Sequence, residues 1–376
     1  MRKFLVGILS FLMIFTCGCY RSEEETAQQK EEVINLSFDN NIASSIADTY
    51  MNAFAIGDVK GMKSLGSQEF QKGFDGEINT NVEVLGIRQE NSNQKGLSAL
   101  YEYTIIKAMK NEPRAYLQSY YLTVGKENNT YKVESTKAVP QYEVFRERDQ
   151  LKIRKEDEVE IANIMLMKNL PDAVYSQNDS GDVVMLKVPN REYGPVGISF
   201  TGQNVVLSTT DGLSTYVGIV EIDESTQTAT QSSSGQSGSQ GKSQGSGGSS
   251  GENQEKNQGE QIYFDKLVGK NISTIDIYSN ITLKNIVFSK DDTYIAVNYA
   301  NENSVTRFKF YKVTGDIVGL DLDSTFSPKK YNLIYKDYKD NEVYFDVTGV
   351  KNAEGIVENL LGSYKISTKD FKINKL

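Results

Sequence analysis

Asn285-Ile286-Val287-Phe288-Ser289-Lys290-Asp291-Asp292-Thr293-Tyr294-Ile295-Ala296-Val297 is the stretch that decides how this chain is read. Apolar residues run up to Phe288, a short polar turn follows, and Tyr294 opens a second apolar strand. Phe308 to Val313 supplies a third strand, closed by Thr314-Gly315. Two other stretches have the same order. Gly197 to Ser208 leads to Tyr216–Ile222, and Asp323 to Ile334 leads to Val343–Val347. In each, Phe with Ser or Thr precedes a polar turn, an apolar strand, a polar connection and another strand. The copies at Phe288 and Phe326 stand 38 residues apart, a repeat length that signals stacked units of one supersecondary type.

Upstream the rhythm is helical. Ile42, Ile46, Tyr50, Phe54 and Ile56 recur at spacings of mostly four, with Ala43, Ala47 and Ala53 among them. Asn40 or Asn41 is the expected N-cap and Gly57 the expected stop. Asp58 to Leu65 reads as a second, shorter helix. Alternation of period two follows at 82–87, 98–105, 116–124 and 130–135, and the polar run 125–129 joins the last two as a hairpin.

These patterns resemble two known families. Ala47-Asp48-Thr49-Tyr50-Met51-Asn52-Ala53-Phe54-Ala55-Ile56-Gly57-Asp58, a helix ending in a small polar turn, is similar to the opening of NTF2-like (cystatin-like cone) domains. The resemblance implies an α+β domain over residues 40–140, whose cone either holds a ligand or is filled by its own side chains. Phe326-Ser327-Pro328 and Phe288-Ser289-Lys290-Asp291-Asp292 resemble the blade turn of TolB-like and WD40-like β-propellers. The fold class expected is therefore α+β followed by an all-β, propeller-like or degenerate propeller region. A complete ring takes at least four blades, and a further blade is sought in Phe145 to Leu166. A smaller open β-assembly fits the same pattern.

Residues 225–261 are almost wholly Ser, Gly, Gln, Thr, Asn, Glu and Lys, a composition that cannot offset its ordering entropy. This segment is expected to be a disordered linker or loop between a first β-rich part at 141–224 and a second at 262–376.

The N-terminus carries an address. Arg2 and Lys3 precede an apolar run from Phe4 to Phe15, and small residues lead into Cys17-Gly18-Cys19. The run is too short to cross a bilayer and reads as a secretory signal. It resembles a bacterial lipoprotein signal, in which the cysteine after the cleaved bond receives acyl chains. Gly18 fits the small position before that bond, and Thr16 stands where the family prefers Leu. The resemblance implies a signal peptide at 1–18, lipid attachment at Cys19, and a polar membrane tether at 19–39.

Composition narrows the chemistry. The chain has no His and no Trp, and both cysteines lie in the signal region. Ser-His-Asp triads, Cys-His dyads and His-rich zinc sites are excluded. Without Arg2 and Lys3 the chain carries 39 basic against 50 acidic residues, a formal charge of −11 with no electrostatic reason to bind nucleic acid. Anchoring must then come from acyl chains, two or three of which hold a protein firmly. Asp179 with Asp182, Asp321 with Asp323, and Asp337 with Asp340 lack the calcium-loop pattern and read as turn residues. Tyr101, Tyr103, Tyr116, Tyr120 and Tyr121 fit half-buried strand positions or a recognition face. Glu83 and Glu102 are the strand carboxylates that could serve acid–base chemistry. No cofactor and no metal site is expected. The reading is a lipid-anchored protein on the extracytoplasmic face of the cell membrane. It would act as a non-catalytic binding or scaffolding module for an envelope protein, peptide or glycan. The alternative is a carboxylate-dependent hydrolase of cell-wall polysaccharide.

Overall fold

The computed structural model describes residues 37–76, 79–155, 161–175, 185–223 and 267–376. The signal segment with Cys19, the tether as far as residue 36, and the segment 225–261 lie outside the described residues, as do Asp179 and Asp182. Asp39 starts the first helix, α1 (Asn40–Ile56), because its carboxylate accepts the Asn41 backbone N–H at 2.9 Å and that of Ile42 at 3.4 Å. The cap thus falls one residue before the expected Asn40 or Asn41, both of which are already helical. Gly57, at φ 73°, ends the helix as expected. The buried stripe is Ala43, Ala47, Tyr50 and Met51, while Ile42 and Ile56 are 47% and 82% exposed. Small alanines let α1 approach the sheet closely, so the larger isoleucines are turned aside. Asp58 caps α2 (Val59–Leu65), and Ser67 caps an unforeseen third helix, α3 (Gln68–Gly73).

The helices cover one face of a six-stranded antiparallel meander. Its strands are β1 (Val82–Lys95), β2 (Ser98–Met109), β3 (Arg114–Glu127), β4 (Thr130–Glu147), β5 (Gln150–Lys155) and β6 (Ile161–Leu166). Asn128 and Asn129, at φ 48° and 63°, form the two-residue turn between β3 and β4. Position 140, the expected edge of the first domain, lies within β4. Pro140 sits opposite Gln118 beside a register shift, the kind of place where a strand tolerates proline. The stretch 145–166 therefore extends this sheet and does not form a separate blade.

A two-stranded ribbon, β7 (Ala173–Tyr175) with β8 (Met185–Lys187), precedes the second sheet. That sheet comprises β9 (Glu192–Tyr193), β10 (Gly197–Ile198), β11 (Asn204–Thr210), β12 (Ser214–Ile222) and β13 (Gly269–Ser279). The third sheet is β14 (Ile281–Phe288), β15 (Tyr294–Asn301) and β16 (Thr306–Lys312). A short helix, α4 (Leu322–Thr325), leads to the fourth: β17 (Tyr331–Lys339), β18 (Glu342–Gly349), β19 (Gly362–Ser367) and β20 (Ile373–Lys375). Every pairing inside these sheets is antiparallel. This is a propeller-like succession of blade-sized sheets, and no described sheet closes on itself. The strands flanking 225–261 are immediate neighbours: Ile222 pairs with Gly269, and the Asp223 N–H donates to the Val268 carbonyl at 3.0 Å. The segment leaves and re-enters one sheet.

Adjacent sheets share cores. On β11, Val205 and Leu207 pack towards the first sheet and Val206 towards the third. On β15, Ile295 and Val297 face the second sheet and Ala296 the fourth. The far side of the fourth sheet is different: it carries the Lys336–Asp346 and Lys365–Glu342 ion pairs and ends the array on a charged face.

The blade turns repeat in detail at Ser199 and Ser289. The Ser289 hydroxyl accepts the Tyr294 N–H at 2.9 Å, and its N–H donates to the Tyr294 carbonyl at 2.8 Å. Ser199 does the same with Asn204, at 3.0 and 2.9 Å. The register is thus set by the serines, and Ile198, not Phe200, is the counterpart of Phe288. Phe200 instead turns to the first sheet, where Gly86 leaves space for its ring and the Arg88 guanidinium lies 5.0 Å from the ring centroid. At Ser327 the carbonyl accepts the N–H groups of Lys330 and Tyr331, so the third turn is one residue shorter.

Charged side chains join neighbouring sheets. The Asp292 carboxylate takes the Phe200 and Thr201 N–H groups at 2.7 and 2.8 Å. Fully buried Asp276 on β13 accepts from Tyr311 at 2.7 Å and Lys309 at 3.1 Å, both on β16. Arg307 on β16 donates to the Phe326 and Tyr331 carbonyls at 3.0 and 3.3 Å and pairs with Asp323. Replacing Asp276 by Ala leaves Lys309 without its carboxylate and the Tyr311 hydroxyl with only Tyr278 as a partner, and should cost about 3 kcal/mol in urea unfolding. Asp370→Ala, which breaks a solvent-exposed pair with Lys372, should leave the midpoint unchanged.

Candidate functional site

Alternation along β2 and β3 puts a particular set of side chains beneath the helices. Tyr103, Ile105 and Lys107 of β2 stand opposite Tyr120, Gln118 and Tyr116 of β3. Tyr103 and Ile105 are packed under the helices, while the other four line a cavity of about 1220 Å³ between the helices and the sheet. Tyr50 and Phe54 of α1 close one side, with Phe70 and Phe74 forming an aromatic wall, their rings 5.1 Å apart. The Tyr50 and Tyr120 hydroxyls are hydrogen-bonded to each other at 3.2 Å, and burial pushes both phenols above their ordinary range.

Beneath the helices the buried Tyr103 hydroxyl has no hydrogen-bond partner among the described residues but does not line the cavity, and two side chains that do line it are under-satisfied. Lys107 Nζ lies 4.9 Å from the Phe54 ring centroid, and among the described residues no carboxylate is within ion-pair distance of it. Burial lowers its pKa from the ordinary lysine value. Gln118, only 8% exposed, has a side-chain Nε2 with no hydrogen-bond partner among the described residues. An unpaired buried amide costs about 1–3 kcal/mol, so its retention calls for an explanation.

The acidic residues around the cavity lie at its mouth or are engaged elsewhere. Glu69, Asp75 and Glu134 are exposed, and Glu134 accepts the Ser98 hydroxyl at 3.1 Å. Glu83 borders the cavity but accepts Asn285 of the third sheet at 2.9 Å. Glu102 does not line it, so Glu83 and Glu102 are not brought together as an acid–base pair. Tyr101 packs beside Tyr103 in the core, and Tyr121 lies outside the cavity. Asp321 caps α4, Asp323 pairs with Arg307, Asp337 meets Lys290 at 2.9 Å, and Asp340 occupies the β17–β18 turn at φ 55°. Among the described residues no group of three or more His, Cys, Asp or Glu side chains is placed to hold a metal ion, and no helix is long and apolar enough to cross a membrane.

Lys107 and Gln118 were not singled out from the sequence. Their signal was there: Tyr101, Tyr103, Ile105 and Lys107 share one strand face, so a lysine continues an inward apolar series.

No protein-family model and no curated protein matches the chain. Among solved structures it is similar to the β-propeller domain of the trilobed protease from Pyrococcus furiosus (10% identity, 77% of this chain, 84% of that one, TM-score 0.24). It is also similar to dipeptidyl peptidase 4 from Porphyromonas gingivalis (8%, 77% and 46%, TM-score 0.24) and to Hsv2p from Kluyveromyces lactis (7%, 78% and 98%, TM-score 0.21). At these scores the likeness carries no conclusion about activity.

The half-buried Lys107 has a thermodynamic signature. Its lowered pKa means that the unfolded chain binds more protons between the folded value and the ordinary 10.5, so this group makes stability rise with pH across that window. Lys107→Met should raise the melting temperature of the unliganded protein and remove that part of the pH dependence, as read by calorimetry at a series of alkaline pH values.

Proposed function

We propose that this chain is an exported lipoprotein, held at the extracytoplasmic face of the membrane by acyl chains on Cys19, and that it is a non-catalytic binding module. The cavity between the helices and the first sheet is its capture site, and the succession of sheets is the platform that carries it. The observation that carries this reading is the cavity itself, large enough for a small ligand and lined by an aromatic wall together with polar and charged groups. The signal pattern ending at Cys19 supplies the location, and the charge of the mature chain leaves the acyl chains as the means of attachment. Helices capping a sheet over a cavity also suit the NTF2-like resemblance of residues 40–140, and blade-sized sheets suit the propeller-like one.

Intact mass spectrometry of protein extracted from native membranes tests the anchor. The expected mass is that of residues 19–376 plus acyl groups, resistant to a carbonate wash. Cys19→Ala should leave the washed membrane pellet or persist with its signal uncleaved. An unmodified, soluble wild-type chain would overturn the lipoprotein reading.

A further inference from the structure

The two unsatisfied groups in the cavity select among ligands. Resting on the reading of the cavity as a binding site, the geometry points to a small organic monocarboxylate with an aromatic or alkyl body, its anion seated at Lys107 Nζ and the Gln118 amide.

Three observations converge on that class. Lys107 and Gln118 belong to adjacent cross-strand pairs, Lys107 with Tyr116 and Ile105 with Gln118, and are therefore diagonal neighbours on one face. Such positions are about 7 Å apart, a separation that two long side chains can bridge through one carboxylate. Both groups are also donors. An ammonium has no acceptor, and the free atom of Gln118 is its N–H₂. A cation would leave both unsatisfied. A neutral hydroxyl oxygen can accept from them, but only an anion such as a carboxylate makes the stronger charge-assisted bond to the ammonium while also accepting from the amide. The charge count sets the valence. Among the described lining residues Lys107 is the one cation in the interior and there is no arginine. At the mouth the exposed Glu69, Asp75 and Glu134 outnumber the exposed Lys110, whose ammonium donates to the Thr80 carbonyl at 2.9 Å, and oppose a multiply charged anion. Phosphate esters, better met by arginine or by several backbone amides, are disfavoured on the same ground. The aromatic wall of Phe70 and Phe74 then takes the apolar body.

Water-soluble aryl compounds of one shape and three charges separate the possibilities. The full chain is reconstituted in phosphatidylcholine nanodiscs and titrated calorimetrically with 1-naphthoate, 1-naphthalenemethanol and 1-naphthylmethylammonium, with empty nanodiscs subtracted. Naphthoate should bind about tenfold more tightly than the alcohol, and the ammonium should bind least. Lys107→Met should erase that preference while keeping the affinity for the alcohol, and Lys107→Arg should retain it. Gln118→Leu should weaken naphthoate by about threefold to tenfold without affecting the alcohol. Naphthoate affinity should fall as pH rises through the lowered lysine pKa, and alcohol affinity should stay level. Equal binding of all three compounds would overturn the carboxylate assignment and leave the cavity reading standing. Binding of none of them would overturn both.

Discussion

Most of this fold depends on sheets that must bury two faces at once. A strand alternates its side chains, so a sheet apolar on both sides has to lie between two partners. Strand β12 makes the constraint concrete: Tyr216 and Val220 face the first sheet, while Val217 and Ile219 face the third. The second and third sheets have no exposed face to offer, and each can exist only inside the succession. The ends solve the problem differently. At one end the helices cover the first sheet with Ala43, Ala47, Tyr50 and Met51; at the other the fourth sheet turns a charged face outward. The fourth sheet, unlike the second and third, is thus apolar on one face and charged on the other.

Apolar faces alone fix neither rotation nor sliding, because the hydrophobic effect is non-directional. Direction comes from charges between sheets, Asp276 and Arg307 buried and Asp292 half-buried. Asp276, Asp292 and Arg307 each reach groups on the next sheet that cannot be met from another angle. The Tyr278–Tyr311 hydroxyl bond at 2.7 Å extends the Asp276 group, and desolvation drives both phenols far above their ordinary range. Such sites contribute little net stability against apolar replacements, and their contribution is register. A pairing of this kind survives only if both partners stay in place, which is why loss of one is so much more costly than loss of a surface pair.

How far the sequence revealed this follows from the range of each signal. Local ones were readable: the Gly57 stop, the Asn128-Asn129 turn, the four strands from Val82 onward and the blade-like turn at Ser289. Signals spanning two elements were not. Phe200 matched Phe288 by type, yet its place is set by Gly86 on a strand more than a hundred residues earlier. Pro140 marked a boundary in composition, but a register shift opposite Gln118 lets β4 run through it. The cap at Asp39 was missed because three neighbouring residues can all cap, and only the backbone decides between them. Residues 225–261 read as a linker or, favoured by the similar units on both sides, a loop within one β-domain, and the strands that flank them pair directly, Ile222 with Gly269. Chain-entropy scaling explains why the sheet tolerates the insertion: closing roughly forty residues instead of four adds only about 2 kcal/mol.

The cavity was the least legible feature, and for an instructive reason. Sequence patterns report what a fold buries, and a ligand site is where that rule is broken. Lys107 continues an inward strand series at a half-buried position, and the Gln118 Nε2, opposite Ile105, has no partner among the described residues. Either change to an apolar residue should improve the empty protein, since the Gln118 Nε2 has no partner among the described residues and half-buried Lys107 is offset only by its contact with the Phe54 ring. Their joint presence on one face, beside the hydrogen-bonded Tyr50 and Tyr120 hydroxyls, is what the proposed carboxylate ligand would account for, since it would accept from both. The same argument separates this pair from Asp276 or Arg307, whose partners are supplied by the fold and whose removal it would not survive as easily.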